Sequence, residues 1–97
     1  MREVHVKPEL VQELCAFART RKIQKLMIFG SRARGDNHPK SDIDLAVRGG
    51  DVVGFTDDVN EKARTLLFFD VIDLDRTLPD AFRAEIMKDG VVLYKEI

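Results

Sequence analysis

The stretch LMIFGSRARGDNHPKSDIDLAV, residues 26–47, consists of two apolar segments separated by a polar loop. Its first four residues form a continuous apolar run that ends at Gly30, a pattern typical of a buried β-strand. Residues 30–41 are rich in glycine, asparagine, proline and serine, which predicts a loop with room for one helical turn after Ser31. Residues 42–47 alternate, with isoleucine, leucine and valine on one face, which predicts a second strand.

Outward from this stretch, helical and strand patterns alternate. Apolar residues recur at helical spacing after Pro8 and again over residues 52–67, which predicts two helices. Residues 69–74 predict a strand, Pro79 opens a third helix, and residues 91–94 form a last short strand. Strands joined through helices usually lie side by side, so we expect a single α/β domain over residues 1–97. The expected sheet is mixed, mostly parallel and of about four strands flanked by helices; the direction of the last strand is left open.

The composition limits the classes of partner and the cellular location. A hydrophobic fraction of 44% and a charged fraction of 34% are ordinary for a soluble globular domain. A net charge of -1 gives no overall positive field to hold a long nucleic acid, so a nucleotide is the better expectation. The single cysteine, Cys15, excludes an internal disulfide and a cysteine-based zinc site. With no apolar leader and no membrane-length apolar run, we expect a cytoplasmic protein without a membrane partner.

The pair Gly30-Ser31 is a candidate phosphate-binding turn. It follows a predicted buried strand directly, and backbone N–H groups at such turns attract phosphate oxygens. Glycine permits close approach of a ligand, and the Ser31 hydroxyl is an additional donor. Taken alone the pair is weak evidence, because Gly-Ser pairs are common in ordinary turns.

Asp42 and Asp44 are candidate metal ligands. Strand alternation places both carboxylates on one face, with their Cα atoms roughly 6–7 Å apart. Such carboxylates raise each other's pKa unless a cation lies between them, and their hard oxygen atoms suit magnesium or manganese. The alternative is a plain solvent-exposed face kept polar by aspartates.

A third carboxylate is expected from the strand at residues 69–74. Asp70 lies between apolar neighbours, where an acidic residue is costly without a partner, and it is also a candidate acceptor of a proton from an attacking hydroxyl. Asp73 has similar neighbours but points to the opposite face, so only one of the two can join Asp42 and Asp44. We favour Asp70.

The joined pattern resembles the signature of the DNA polymerase beta-like nucleotidyltransferases. Gly30-Ser31, ten residues, and then Asp42-Ile43-Asp44 is the spacing that carries the likeness, and residues 29–36 and 41–47 are similar to the minimal nucleotidyltransferases of that superfamily. The resemblance extends over residues 69–74 and 90–94 and so covers nearly the whole chain.

The resemblance implies a fold, a reaction and a set of site residues. The fold would be the nucleotidyltransferase core with a mixed sheet, and the reaction would be Mg²⁺-dependent transfer of a nucleoside monophosphate, AMP from ATP, to an acceptor hydroxyl. The implied metal ligands for two Mg²⁺ ions, which are also the catalytic residues, are Asp42, Asp44 and Asp70. The implied nucleotide-binding residues are Gly30 and Ser31.

Two nearby arginines are candidate phosphate contacts. Arg32 and Arg34 are the cations closest in sequence to Gly30-Ser31, and guanidinium groups bind phosphate well. We favour Arg32 for this role. Both are equally compatible with ordinary solvated arginines beside Asp36.

The resemblance also implies a partner. Minimal nucleotidyltransferases are often paired with a small helical HEPN-type protein in toxin–antitoxin modules, so we expect an antitoxin that transfers AMP to a hydroxyl of that partner. A homo-oligomer is a further possibility for completing an open site. The first alternative is a non-catalytic module that binds nucleotide or partner and neutralises the partner by contact. A transferase acting on small molecules is a weaker alternative, because no acceptor-binding domain is visible.

Overall fold

Helices and strands alternate throughout residues 4–96, the part of the chain that the computed structural model describes. In chain order the elements are α1 (Pro8–Thr20), β1 (Lys25–Phe29), α2 (Ser31–Arg34), β2 (Ile43–Arg48), α3 (Val52–Lys62), β3 (Phe69–Asp73), α4 (Asp80–Asp89) and β4 (Val91–Lys95). The predicted α/β organisation is confirmed, including the single helical turn after Gly30 and the helix that begins beside Pro79.

The four strands form one mixed sheet in the order β3-β2-β1-β4. Only β2 and β3 are parallel, since β1 pairs antiparallel with both β2 and β4. The expectation of a mostly parallel sheet is therefore wrong, although the mixed four-stranded sheet is confirmed. The reason lies in α2, whose four residues extend only about 6 Å. This is too short to return along a five-residue strand of about 16 Å, so β2 starts at the sheet edge where β1 ends.

Each face of the sheet carries its own apolar cluster. Helices α1 and α3 cover one face, where Leu14 and Phe55 are completely buried. The same cluster takes the apolar side of β2, formed by Ile43, Leu45 and Val47. Helix α4 covers the other face through Ile86. Because strand residues alternate between faces, Asp44 and Asp70 project to the α4 side.

Helix α3 ends at Lys62, five residues before the predicted end. Ala63 takes an extended conformation with ψ 136°, and the Arg64 N–H donates to Glu13 on α1 at 2.9 Å. This turn is needed to bring the chain back to start β3 beside Ile43, a constraint that the local apolar pattern does not contain. Within residues 4–96, no helix has both the length and the apolar character needed to cross a bilayer.

An ion-pair network ties α1 to α3 at the edge of the sheet where β2 ends. Arg21 binds Asp58 through two hydrogen bonds, of 2.8 Å from Nε and 3.1 Å from Nη2, and its Nη1 lies 3.1 Å from Asp51. Lys62 Nζ adds a contact of 3.3 Å to Asp58, which is buried. The hydrogen bond from Arg21 is the main reason that the pKa of Asp58 falls to about 2. We call these four residues the Arg21 network.

Candidate active site

The turn after β1 brings the backbone of Gly30 close to the carboxylate of Asp44. Gly30 has φ 73° and ψ -155°, a conformation that is essentially restricted to glycine. A Cβ atom at this position would overlap Oδ2 of Asp44. Glycine is therefore required here for two reasons, the backbone conformation and the close approach of Asp44. Ser31 is the next residue and is half-buried. No described residue forms a hydrogen bond with its hydroxyl.

The three predicted carboxylates lie at one edge of the sheet. Asp44 and Asp70 are register partners on the parallel strands β2 and β3, so their side chains are neighbours on the same face. Asp42 lies two residues before Asp44, just ahead of β2, and is exposed. We call Asp42, Asp44 and Asp70 the carboxylate edge.

The electrostatics of the carboxylate edge are unfavourable in the absence of a cation. The pKa of Asp44 is raised, first by its burial and then by the charges of Asp70 and Asp42. Arg34 lowers the pKa of Asp44, but this effect is the smallest of the four. Facing carboxylates of this kind form a donor set that suits a hard divalent cation. The side chains are not gathered into a finished site, since residues 4–96 contain no group of three or more His, Cys, Asp or Glu side chains arranged to hold a metal ion.

The alternative third carboxylate, Asp73, lies elsewhere. It is the last residue of β3 and pairs in register with Val47, three positions along the strand from Asp70. Its Oδ1 accepts a hydrogen bond of 2.9 Å from the Asp75 N–H, and its Oδ2 lies 3.8 Å from Nε of Arg76. The structure thus brings Asp70, and not Asp73, beside Asp44.

The sequence favoured Arg32 over Arg34 as the phosphate contact, and the structure favours Arg34, which lines the cleft beside Gly30. The Arg32 side chain is buried, and its guanidinium donates to four backbone carbonyl oxygens at 2.8–3.3 Å. These carbonyls belong to His5, His38, Pro39 and Ser41. The guanidinium therefore holds the N-terminal segment and the loop before β2 together, and Arg32 does not line the cleft formed by Gly30, Ser31, Asp44 and Asp70.

Arg34 is the cation that faces the carboxylate edge. Its Nε lies 3.2 Å from Asp36 and its Nη1 lies 3.2 Å from Asp89 at the end of α4. It lines an open cleft of about 380 Å³ together with Gly30, Ser31, Asp44 and Asp70. A nucleotide phosphate in this cleft would meet Arg34 rather than Arg32.

Helix α4 supplies cleft residues that no sequence motif indicates. Phe82 and Glu85 line the cleft, and the Phe82 ring packs edge-to-face on Phe29 with centroids 6.0 Å apart. With Asp89 they follow a spacing of three and four residues, which marks one face of a helix. That spacing was visible in the sequence, but its meaning depends on α4 lying across the face that carries Asp44.

A larger cleft of about 790 Å³ lies away from this chemistry. It is lined by residues of α1 and the segment after α3, among them Leu10, Arg64 and Leu66, and by none of the three carboxylates. Volume alone therefore does not locate the site. The cleft beside Gly30 is the better candidate because it combines a close backbone approach, a cation, and carboxylates that form no ion pair with another residue of the described range 4–96.

Comparison with solved structures identifies the fold. One chain of a toxin–antitoxin crystal structure with AMP-PNP matches with a TM-score of 0.71 and 22% identity, covering 89% of this chain and 73% of that one. A mutant of the toxin–antitoxin complex MntA–HpeT matches with a TM-score of 0.70 and 20% identity, with the same coverage of 89% and 73%. A candidate nucleotidyltransferase from Sulfolobus solfataricus matches with a TM-score of 0.54 and 26% identity, covering 90% and 78%.

Comparison with sequences identifies the family. A search of curated proteins finds no match. The family model described as polymerase beta, nucleotidyltransferase matches residues 12–96, a range that contains every predicted site residue from Gly30 to Asp70. The chain therefore belongs to the polymerase beta nucleotidyltransferase family.

Proposed function

We propose that this protein transfers AMP from ATP to an acceptor hydroxyl in a Mg²⁺-dependent reaction. The observation that carries the proposal is the pairing of Asp44 with Asp70 directly beside the turn at Gly30. Membership in a nucleotidyltransferase family supports the reaction class.

The metal ligands in this proposal are Asp42, Asp44 and Asp70. Their donor chemistry fits Mg²⁺, and the raised pKa of Asp44 indicates that a cation beside it would be stabilising. Bound Mg²⁺ would supply charge neutralisation for the attacking and leaving oxygens of an in-line displacement. Asp42 and Asp70 are solvent-exposed, so their side chains are free to change rotamer toward a bound ion.

The remaining residues orient the nucleotide and handle the proton. The Ser31 hydroxyl and the Arg34 guanidinium would bind phosphate oxygens, and Gly30 would leave room for them; all three residues line the cleft. The acceptor oxygen forms a bond to the α-phosphorus while the bond to pyrophosphate breaks. Asp70 accepts the proton of the acceptor hydroxyl, and pyrophosphate carries away the electron pair of the broken bond.

The acceptor in this proposal is a protein, and the chain acts as the antitoxin of a cytoplasmic toxin–antitoxin pair. Two of the similar structures are toxin–antitoxin complexes. The segment leading into β3 exposes two large apolar side chains, Leu66 at 99% and Phe68 at 76%. Phe68 is two residues from Asp70, so a protein that covered it would bring its own side chains to the carboxylate edge. By the family resemblance, the partner is a HEPN-type protein.

A contact role without turnover is the second candidate. It is favoured by the absence, within residues 4–96, of three acidic, histidine or cysteine side chains already arranged around a metal position. In this alternative, the exposed apolar side chains would bind the partner and the carboxylates would have no catalytic task.

Isothermal titration of ATP, with and without Mg²⁺, tests the first proposal. Wild type is compared with the double variant Asp42→Asn, Asp44→Asn, and Asp57→Asn on the exposed side of α3 is the matched control. We expect binding only with Mg²⁺, lost in the double variant and kept in the control. Binding that ignores Mg²⁺ or survives the double substitution would contradict the metal–nucleotide site.

Neutralisation of the toxin separates transfer from contact. If the double variant still protects cells that express the toxin, the contact role is favoured. If protection is lost while the double variant still co-purifies with the toxin, transfer is favoured, because the interface is then intact and only the chemistry is missing.

A further inference from the structure

Arg34 needs an anchor if it is to bind phosphate efficiently. Its side chain starts from the one-turn helix α2 and is 39% exposed, so by itself it would sample many rotamers. Ordering such a side chain on binding costs conformational entropy, and a pre-formed contact removes part of that cost beforehand.

The two carboxylates beside Arg34 are unequal anchors. Asp36 is only two residues away and 64% exposed, so its ion pair is local and well screened by water. Asp89 is 55 residues away in the chain and its side chain is only 16% exposed. The contact with Asp89 therefore ties α2 to α4 and is the better anchor of the two.

The anchored guanidinium keeps donors for a ligand. Arg34 uses Nε for Asp36 and Nη1 for Asp89, and no described residue accepts a hydrogen bond from Nη2. A guanidinium has five N–H donors, so phosphate contacts remain available while both ion pairs persist. Arg34 also lines the cleft together with Ser31, Asp44 and Asp70, so its side chain lies at the proposed phosphate site.

An acidic residue at position 89 does not stabilise α4 itself. It is the last residue of the helix, and negative charge at a helix C-terminus opposes the helix dipole, whereas the neighbouring Lys88 is favourable there. An acidic residue at this position is explained by an interaction outside the helix, and Arg34 is one such partner.

We infer that Asp89 is a positioning residue that holds the Arg34 guanidinium toward the phosphates of the bound nucleotide. The inference rests on the proposed function, since it assigns an orienting partner to a residue of that same site. Asp89 itself does not touch the substrate.

A double-mutant cycle on the affinity for Mg·ATP tests this inference. Titrations at one ionic strength compare wild type, Asp89→Asn, Arg34→Ala and the double variant. We expect Asp89→Asn to raise Kd roughly 3- to 10-fold and to lower the melting temperature only slightly, because removal of an unfavourable charge from the helix end partly offsets the loss of the ion pair with Arg34. In the Arg34→Ala background, Asp89→Asn should change Kd by less than about twofold, because its effect passes through Arg34.

The matched control is Glu61→Gln, which removes an exposed acidic side chain from the last turn of α3, away from the cleft. Its Kd should stay within about twofold of wild type. If wild type binds Mg·ATP and Asp89→Asn binds equally well or more tightly, the positioning role is overturned and the proposed function stands. An equal loss with and without Arg34 also overturns it. If wild type does not bind Mg·ATP, the proposed function fails and the positioning role fails with it.

Discussion

The carboxylate edge and the Arg21 network lie at the two opposite ends of β2. The aspartates in the two groups have opposite electrostatic surroundings. In the Arg21 network, a guanidinium and an ammonium neutralise Asp58, and the pKa of Asp58 is lowered to about 2. At the carboxylate edge, the pKa of Asp44 is raised because burial and two neighbouring carboxylates outweigh Arg34. Paired carboxylates of the first kind hold elements together, whereas the repulsion in the second arrangement is relieved by protonation or by a bound cation.

The largest expected difference between the clusters is in nucleotide binding. Asp44→Asn should raise Kd for Mg·ATP at least about 100-fold, because it removes the central ligand of the proposed metal site. Asp58→Asn makes the same chemical change in the Arg21 network and should leave Kd within about twofold. Titration calorimetry at a temperature where both variants are folded measures this. Equal effects of the two substitutions would mean that the clusters do not differ in function.

A glycine that lies against each cluster gives the next largest difference, measured as the free energy of unfolding. Gly30→Ala should cost about 1–3 kcal/mol, since alanine is strained at this positive φ and its Cβ meets Asp44. At Gly54 an added Cβ meets the side chains of Asp51 and Arg21, which can move, and the helical backbone itself favours alanine. Gly54→Ala should therefore cost less than about 1 kcal/mol. Urea denaturation measures both values, and a cheaper Gly30→Ala would refute the close packing of the turn.

The melting temperatures of two Asp→Asn variants should shift in opposite directions. In buffer with EDTA, Asp58→Asn should melt several degrees lower, because Arg21 loses its buried partner, and Asp44→Asn should melt higher, because repulsion is relieved. Addition of Mg²⁺ should stabilise wild type and leave Asp44→Asn unchanged. Calorimetry checks the signs. A lower melting temperature for Asp44→Asn without metal would show that the carboxylate edge is structural.

The smallest expected effect is on the pH dependence of stability. The folded pKa of Asp58 lies below its usual 3.8, so its contribution is present above about pH 4 and is lost as the pH falls toward about 2. Asp44 has a raised pKa, so its contribution is present below its unfolded pKa and is lost as the pH rises through the folded value. Urea denaturation between pH 2 and 6 should show a shallower acid decline for Asp58→Asn than for wild type. Parallel curves would show that Asp58 does not contribute to the pH dependence of stability.

Much of the fold was predictable because the relevant patterns are local. The apolar run before Gly30, the alternation over residues 42–47 and the proline beside α4 each depend on a few consecutive residues. The wrong strand directions came from a connection, residues 30–42, whose helix is too short for a crossover. The early end of α3 depends on a turn that is held by a distant residue, Glu13. Neither feature has a signature within a short window of sequence.

The site was partly predictable for the same reason. The sequence predicted that Asp42 and Asp44 share one face of a strand, but β2 begins at Ile43, so Asp42 lies just before the strand, where alternation does not fix the direction of its side chain. The preference for Asp70 over Asp73 agrees with the register of β2 and β3, although the metal-binding role of these residues stays a prediction. Arg32 was preferred to Arg34 on sequence distance alone. In the structure the Arg32 guanidinium donates its hydrogen bonds to backbone carbonyl oxygens instead.

The sequence by itself determined the alternation of helices and strands, the position of Asp44 on the face of β2 opposite to Ile43 and Leu45, and the glycine turn, since each follows from backbone geometry over a few residues. Only the tertiary structure decided which aspartate of β3 faces Asp44, which arginine faces the cleft, and that α4 brings Asp89 to Arg34. These choices depend on strand register and on the packing of a helix against one face of the sheet. Both are set by contacts between residues far apart in the chain, which no local pattern records.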